Sequence, residues 1–456
     1  MLLTEDGPVR SSVEAAVMAV ERRGRRRQLY SSRQPFFFMA GSRRDEVKSL
    51  PITKGMVYDA YLKVKANGGA SGIDGESLTD FEGDLSNQLY KLWSRLSSGS
   101  YFPPGVKRVT IPKRGGGQRP LGIPTVSDRI AQTVLKTFME PRLEAIFHNS
   151  SYGYRPGRGA HDALGSVEAT IRQYYWVIDL DIKGFFDALD HDKLLLALDK
   201  HFDEKWVKMY VARWLKVPVI HADGRVEEPQ SGTPQGGVIS PLLANLYLHY
   251  SFDKWLEQNG NLPFSRYADD IIVHCKSVEQ AEEMLESIRQ RMLACGLELH
   301  PTKTKIVYCG PPKKKREVGG HARKFTFLGH DFKPRRLYMV KTKRVLWYSR
   351  PGPSEVAKQS MLEVIGGIVV RGHTGDLSDF ADKLNVKLMG WHQYYCKFDR
   401  WALRRVMSHL NERLAKWKAD RYKRHRGSLR RAWYWLGEVY KSNPDFFYHW
   451  RLGYAP

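Results

Sequence analysis

The 456-residue sequence has only four cysteines, Cys275, Cys295, Cys309 and Cys396, and no two of them form a C-x-x-C pair. That spacing excludes a disulfide framework and a cysteine-based zinc centre, so four idle thiols are expected. No uncharged apolar stretch reaches the ~18 residues a membrane helix needs, and the start of the chain, with Glu5 and Asp6, has no signal-like apolar block. A cytosolic protein with no membrane partner is expected. Acidic residues are also in short supply: 49 Asp+Glu stand against 73 Lys+Arg, a formal net charge of +24. An excess of that size suits a polyanionic partner, nucleic acid first. With 42% hydrophobic and 12% aromatic residues the chain can bury a large core and is not a disordered basic tail. Its length calls for roughly two to four domains, and it contains no internal repeat.

Residues 1–51 carry an arginine block (Arg22, Arg23, Arg25, Arg26, Arg27) and then Phe36, Phe37 and Phe38, with no sustained helical or strand period. A mobile basic extension is expected there. Regular pattern begins near Thr53 and is interrupted at 67–75 by a loop too rich in glycine for helix or strand. Residues 106–113 alternate, turn at 114–117 and resume at 118–124, which predicts a β-hairpin with basic residues on both arms. Ser127 and Asp128 are expected to cap the helix that follows. Further on, the pattern predicts a strand at 174–181, mostly helix at 185–198 and 237–255, two short strands about a tight turn at 264–274, and an amphipathic helix at 278–295. A basic linker at 311–316 precedes another strand at 325–332. Beyond 353 the chain turns to helices dense in Arg, Lys and Trp; between Leu403 and Trp417 the apolar positions step by 3, 4, 4 and 3, a helical period.

Two acidic clusters carry the chemistry. Asp179, Asp181 and Asp187 lie where a strand runs into a helix, and Asp269 and Asp270 lie at a turn between two apolar half-strands. Adjacent carboxylates on a tight turn repel each other, and a fold tolerates them with a cation nearby. Hard oxygen ligands supplied one or two at a time, with water and phosphate completing the shell, are what Mg2+ prefers. A two-metal phosphoryl-transfer site needs ions about 3.5–4 Å apart. Asp181 and Asp269 are the expected bridging ligands, Asp270 is the third carboxylate, and the carbonyl of Ile182 is a further candidate. Asp179 shares a strand face with Asp181 and is the competing choice.

These clusters sit in longer motifs. Tyr267-Ala268-Asp269-Asp270 resembles the Y-x-D-D box of reverse transcriptases, and Asp181-Ile182-Lys183-Gly184-Phe185-Phe186-Asp187 resembles the preceding metal-binding box of group II intron-encoded proteins, a continuation that favours Asp181 over Asp179. Between them, residues 231–245 are similar to the block G-x-P-Q-G-x-x-x-S-P-x-L-x-N. Residues 67–75 resemble the extra N-terminal block of the intron proteins. Residues 152–161 resemble Y-G-F-R-P-G-R-S-x-H, with Tyr154 and Gly159 as departures, and 299–304 resemble L-x-x-x-K-T with Lys303 as its lysine. Residues 390–395 match G-W-x-x-Y-Y of the maturase domain, and 448–453 resemble the ending of bacterial members that lack an endonuclease. The resemblance runs from about Ile52 to Pro456.

It implies an α+β fold: a right-hand polymerase with fingers and palm at 52–350 and an all-helical thumb/maturase domain at 354–456. The implied activities are RNA-directed DNA polymerisation and assistance to group II intron splicing and mobility. They would use two Mg2+ ions per site, with Mn2+ as a substitute. Implied partners are group II intron RNA, an RNA template with a DNA primer, target DNA and deoxynucleoside triphosphates, in the bacterial cytosol or nucleoid. Lys113 and Arg119, placed face to face across the hairpin, would meet the β and γ phosphates, and Lys303 would protonate the leaving pyrophosphate. Gln235 and its neighbours would form a loop on which the templating base stacks. Arg155, Arg158, Trp391, Arg404, Arg405, Lys416, Arg421, Lys423 and Arg424 are candidate nucleic-acid contacts; residues 397–431 hold 13 Lys/Arg against 3 Asp/Glu. His392 is expected to be a hydrogen-bonded core histidine. No H-N-H endonuclease is expected, because only Cys396 lies beyond residue 309. The competing possibilities are a free-standing relative recruited for defence or repair, and an RNA-binding splicing factor with a vestigial polymerase. Phe186 is placed to lie under the sugar of the incoming nucleotide, where its ring would clash with a 2′-hydroxyl. Replacing Phe186 with Ala is therefore expected to raise ribonucleotide incorporation by about tenfold or more; unchanged sugar selectivity in primer extension would contradict the assignment.

Overall fold

Alternating residues in 106–123 form the predicted hairpin. Strand β1 (Val106–Pro112) pairs antiparallel with β2 (Gln118–Ile123), from Lys107 opposite Ile123 to Pro112 opposite Gln118. The computed structural model describes residues 49–112, 117–311, 319–339, 344–370, 375–421 and 428–456. Lys113, Lys423, Arg424, most of the basic linker and nearly all of the N-terminal extension lie outside the described residues.

After β2 the chain enters the helix Val126–Glu144. Its cap is Thr125, whose hydroxyl accepts the Asp128 N–H at 3.2 Å, so Ser127 and Asp128 already lie inside the first turn. Asp128 is instead fully buried, accepting from the Tyr101 hydroxyl (2.9 Å), Trp214 Nε1 (2.7 Å) and Gln132 Nε2 (2.8 Å). Strand β3 (Trp176–Asp181) is followed by the helices Phe185–Ala188 and His191–Asp199, broken where Asp190 caps the second. The short strands β4 (Val219–Ile220) and β5 (Val226–Glu227) complete a sheet of order β2-β1-β4-β5.

The helix expected over 237–255 has three parts: Ser240–Leu248, a π-helical turn His249–Asp253, and Lys254–Asn259. Such turns are frequent at functional sites, and this one carries a buried acid, Asp253. The two predicted half-strands are β6 (Phe264–Tyr267) and β7 (Asp270–Cys275), and the amphipathic helix is Val278–Ala294. With β8 (Lys305–Tyr308) they form a second sheet of order β6-β7-β3-β8.

The chain packs as two compact units. Among the described residues, one comprises 49–163, Leu180–Ile271 and Glu283–Thr304; the other comprises Leu164–Asp179, Ile272–Glu282 and Lys305–Pro456. In the second unit, residues 325–332 are two strands and not the expected one. β9 (Phe325–Phe327) reverses into β10 (His330–Phe332) because Leu328 and Gly329 both take positive φ, 49° and 73°. Phe325 and Phe332 stack at 4.9 Å across this hairpin. A second hairpin joins β11 (Pro334–Met339) to β12 (Arg344–Ser349), and β13 (Gly352–Pro353) pairs with β10.

The remainder of this unit is helical: Glu355–Ile368, Leu377–Tyr395, Arg404–Arg421, Leu429–Ser442 and Tyr448–Arg451. The predicted period at 403–417 holds, with Leu403, Val406, Leu410, Leu414 and Trp417 all in one buried cluster. Asn411 beside them ties the last helix down, accepting from His449 Nε2 (2.7 Å) and Trp450 Nε1 (3.0 Å). His392 is half-buried and bonded to the Tyr448 hydroxyl at 3.2 Å. The content is α+β throughout. Among the described residues all four thiols are free, and no helix is long and apolar enough to cross a membrane.

His274, in β7, is buried with neither ring nitrogen hydrogen-bonded among the described residues, and burial lowers its pKa from 6.5 to about 3. The unfolded chain therefore binds a proton at this residue that the folded chain refuses. Stability is present in full above pH 6.5 and is lost as the pH falls toward 3. The variant His274→Leu should flatten the pH dependence of unfolding free energy between pH 6 and 4 by about 1.4 kcal/mol per pH unit; urea titrations giving the wild-type slope would contradict this.

Candidate active site

The turn between β6 and β7 forces Ala268 into the left-handed region, φ 57°, a conformation that costs a non-glycine residue on the order of 1–2 kcal/mol. Asp269 follows it directly. A Cβ on Gly153 would lie 2.5 Å from the Ala268 nitrogen and 3.0 Å from the Tyr267 carbonyl carbon, so the backbone of residue 153 lies against the turn where no side chain fits. From the other side Arg266 Nη1 donates to the Ala268 carbonyl at 3.2 Å.

Asp181 ends β3 within the same unit. The bridge between Ile182 and Leu299 is held by Lys183 N–H to the Glu298 carbonyl (2.8 Å) and His300 N–H to the Asp181 carbonyl (2.7 Å). Neither bond uses the Ile182 carbonyl. The turn at 300–304 packs on Asp181 through Thr304, whose hydroxyl meets the Asp181 backbone N–H and carbonyl, each at 3.3 Å. That contact carries Lys303 to the site: its Nζ lies 3.2 Å from Asp181 Oδ2. Asp179 turns elsewhere, pairing with Lys305 at 3.3 Å.

Asp269 is half-buried, and its pKa is raised, first by burial and further by the charge of Asp181, while Arg119 and Arg266 act against the rise. The structure therefore brings Asp181, Asp269, Arg119 and Lys303 into one electrostatic neighbourhood. Among the described residues no group of three or more His, Cys, Asp or Glu forms a closed cage. The donor chemistry fits an open Mg2+ site: carboxylates that disfavour each other's charge, and a carbonyl outside the strand ladder, with water and phosphate to fill the rest.

Arg119 Nε donates to Gln235 Oε1 at 2.8 Å, which joins two of the predicted nucleotide-binding residues. The cross-strand partner of Arg119 is Ile111, and the expected pairing with Lys113 lies outside the described residues. Phe186 is 6% exposed and packs edge-on to Phe185 at 5.4 Å. Its carbonyl accepts the Thr233 N–H at 2.8 Å, and a Cβ on Gly232 would sit 2.7 Å from that same oxygen. The loop bearing Gln235 thus rests on the backbone of the segment bearing Phe186.

The candidate nucleic-acid contacts divide. Arg155 is a correction: it is buried and spends its guanidinium on Glu144 (2.9 Å) and on the carbonyls of His148 (2.7 Å) and Ser151 (2.8 Å). Trp391 packs against the helical core, Lys416 pairs with Glu412, and Arg421 bonds the Gly375 carbonyl beside Asp376. Arg158 is half-exposed and bonds Asn149. Arg404 and Arg405 are exposed and line an open groove with His409 and Trp433, two residues not singled out from the sequence. Asn245 and Arg266 lay within or beside the sequence motifs, but no local pattern pairs them with Asp253.

Known families match two stretches. The family described as reverse transcriptase (RNA-dependent DNA polymerase) matches residues 111–332, and that described as group II intron, maturase-specific domain matches 358–435. Protein YkfC of Escherichia coli is 32% identical over 298 residues, 57% of this chain and 74% of that protein. Group II intron-encoded protein LtrA of Lactococcus lactis is 34% identical over 204 residues, 44% of this chain and 33% of LtrA. An uncharacterized 91 kDa protein in the cob intron of Schizosaccharomyces pombe is 29% identical over 323 residues, 58% of this chain and 39% of its own length. The matches to the last two thus span well under half of those proteins.

The packing of residue 153 on the turn sets a measurable contrast. Gly153→Ala should lower the unfolding free energy by about 1–3 kcal/mol, whereas Gly159→Ala, whose Cβ would meet only Asp162 at 3.8 Å, should change it little. Equal effects in chemical denaturation would contradict the close approach.

Proposed function

Because the chain belongs to the reverse transcriptase family and carries a group II intron maturase-specific domain, we propose that it copies RNA into DNA at the Asp181–Asp269–Asp270 site and assists the splicing and mobility of a group II intron RNA. The observation that carries the first part is the half-buried Asp269 carboxylate, opposed by the charge of Asp181, at a locked left-handed turn beside Arg119.

In this proposal Asp181, Asp269 and Asp270, with the Ile182 carbonyl, would hold two Mg2+ ions. The ions supply a lowered pKa for the attacking 3′-hydroxyl and neutralisation of the leaving oxygen. Arg119 and Lys113 bind the triphosphate. Arg119 also bonds Gln235, which links the hairpin cation to the loop proposed to lie under the templating base. Lys303, held against Asp181 by the 300–304 turn, would deliver a proton to the leaving pyrophosphate. Phe186 stays fixed because its carbonyl is bonded to Thr233, which suits a ring that must refuse a 2′-hydroxyl.

Residues 52–350 would be the fingers and palm, and 354–456 the thumb/maturase domain that meets duplex and intron RNA. Of the basic residues there, Arg404 and Arg405 are the best supported contacts, being exposed beside Trp433 on an open groove. Template, primer, target DNA and deoxynucleoside triphosphates are the proposed partners. Extension of a DNA primer on an RNA template with Mg2+ should fall by about 10³-fold or more in Asp181→Ala and in Asp269→Ala, with template–primer binding retained. Extension at the wild-type rate in either variant would overturn the assignment.

A further inference from the structure

Arg266 is fully buried, and so is Asp253, which meets it through two bonds: Nε to Oδ1 at 2.8 Å and Nη2 to Oδ2 at 2.6 Å. The remaining arm of the guanidinium does something an ion pair alone does not require. Its Nη1 donates both to Asn245 Oδ1 at 2.9 Å and to the carbonyl of the left-handed Ala268 at 3.2 Å. Asn245 turns its other end to the Gly153 carbonyl at 2.8 Å, and residue 153 is the one whose backbone lies against the turn. The backbone of Arg266 is anchored in its own right, its N–H on the Ser150 carbonyl and its carbonyl on the Tyr152 N–H, each at 2.8 Å.

A buried ion pair is a poor source of stability, since desolvation offsets most of the attraction and apolar replacement is often neutral or better. What the guanidinium fork adds is geometry: planar donors in fixed directions. One set grips the π-helical turn at Asp253, and the other fixes the carbonyl one residue before Asp269. Mg2+ demands near-ideal octahedral ligands and tolerates little displacement, and partners behind the ligands commonly tune metal affinity.

We propose that Arg266, braced by Asp253 and Asn245, is the positioning residue that sets the Asp269–Asp270 turn in the conformation that binds divalent metal. This rests on the polymerase assignment above. Arg266→Lys keeps a positive charge opposite Asp253 but has no fork to span Asp253, Asn245 and Ala268 together. It should raise the Mg2+ concentration for half-maximal primer extension by about 10- to 100-fold. Mn2+ binding, read directly by electron paramagnetic resonance, should weaken in parallel while template–primer affinity stays as in wild type.

The double variant Arg266→Met with Asp253→Leu removes both buried charges and should recover thermal stability without recovering Mn2+ binding. Wild-type Mn2+ and Mg2+ dependence in Arg266→Lys, or recovery of Mn2+ binding together with stability in the double variant, would overturn the proposal by showing that Arg266 serves stability alone. Failure of the wild-type protein to bind Mn2+ and extend primers would instead defeat the polymerase assignment.

Discussion

Partial burial of the Asp269 carboxylate is the constraint on which the candidate site depends. Loss of hydration raises its pKa first, and the charge of Asp181 adds to the rise. A fold under selection for stability alone would separate two such groups or neutralise one. Here the turn that carries Asp269 is held by means that are individually unfavourable: a non-glycine residue at positive φ before it, a glycine backbone pressed against the turn, and an arginine buried to hold the Ala268 carbonyl. Cations stand around the pair without cancelling it, Lys303 on Asp181 and Arg119 acting on Asp269. The arrangement suits the divalent ions and the triphosphate proposed for it.

The formal excess of +24 looks at first like an inventory of nucleic-acid contacts. Much of it is spent inside the fold. Arg155 braces the segment leading into residue 153, Arg266 braces the turn before Asp269, and Arg129 holds the glycine-rich loop through the carbonyls of Gly68 (3.2 Å) and Ala70 (2.9 Å). Arg421 ties the end of its helix to Gly375. Guanidinium suits this work because its several donors satisfy carbonyls that helix and strand leave unpaired. Arg404 and Arg405 are exposed instead, on a groove that Trp433 also lines, as suits the nucleic-acid contact proposed for them.

The elements legible in the sequence were those encoded by short-range pattern. The hairpin at 106–123 follows from alternation, the strand–turn–strand about Asp269 from apolar runs flanking two acids, and the helix at 404–421 from its period. The candidate carboxylates stood out in the sequence because three motifs occur in order. Features that depend on distant partners were not. Thr125 and not Ser127 caps its helix because Asp128 is drawn into a buried cluster with Tyr101 and Trp214. Residues 325–332 look like one strand, since nothing about Leu328 announces a left-handed conformation. Arg155 reads as a phosphate contact from its motif, yet its partners are a glutamate and carbonyls of a neighbouring loop. The Arg266–Asp253 pair spans a π-helical turn that no periodicity predicts.

Under the proposed function, Asp181, Asp269 and Asp270 hold two divalent ions side by side when substrate is present. The most direct test of this is electron paramagnetic resonance of the full chain titrated with Mn2+ in the presence of an RNA template, a DNA primer ending in a dideoxynucleotide and the next deoxynucleoside triphosphate. The account predicts two ions per chain with the spin–spin coupling expected at about 4 Å. A single uncoupled ion, or a coupled pair that survives Asp269→Ala, would contradict it.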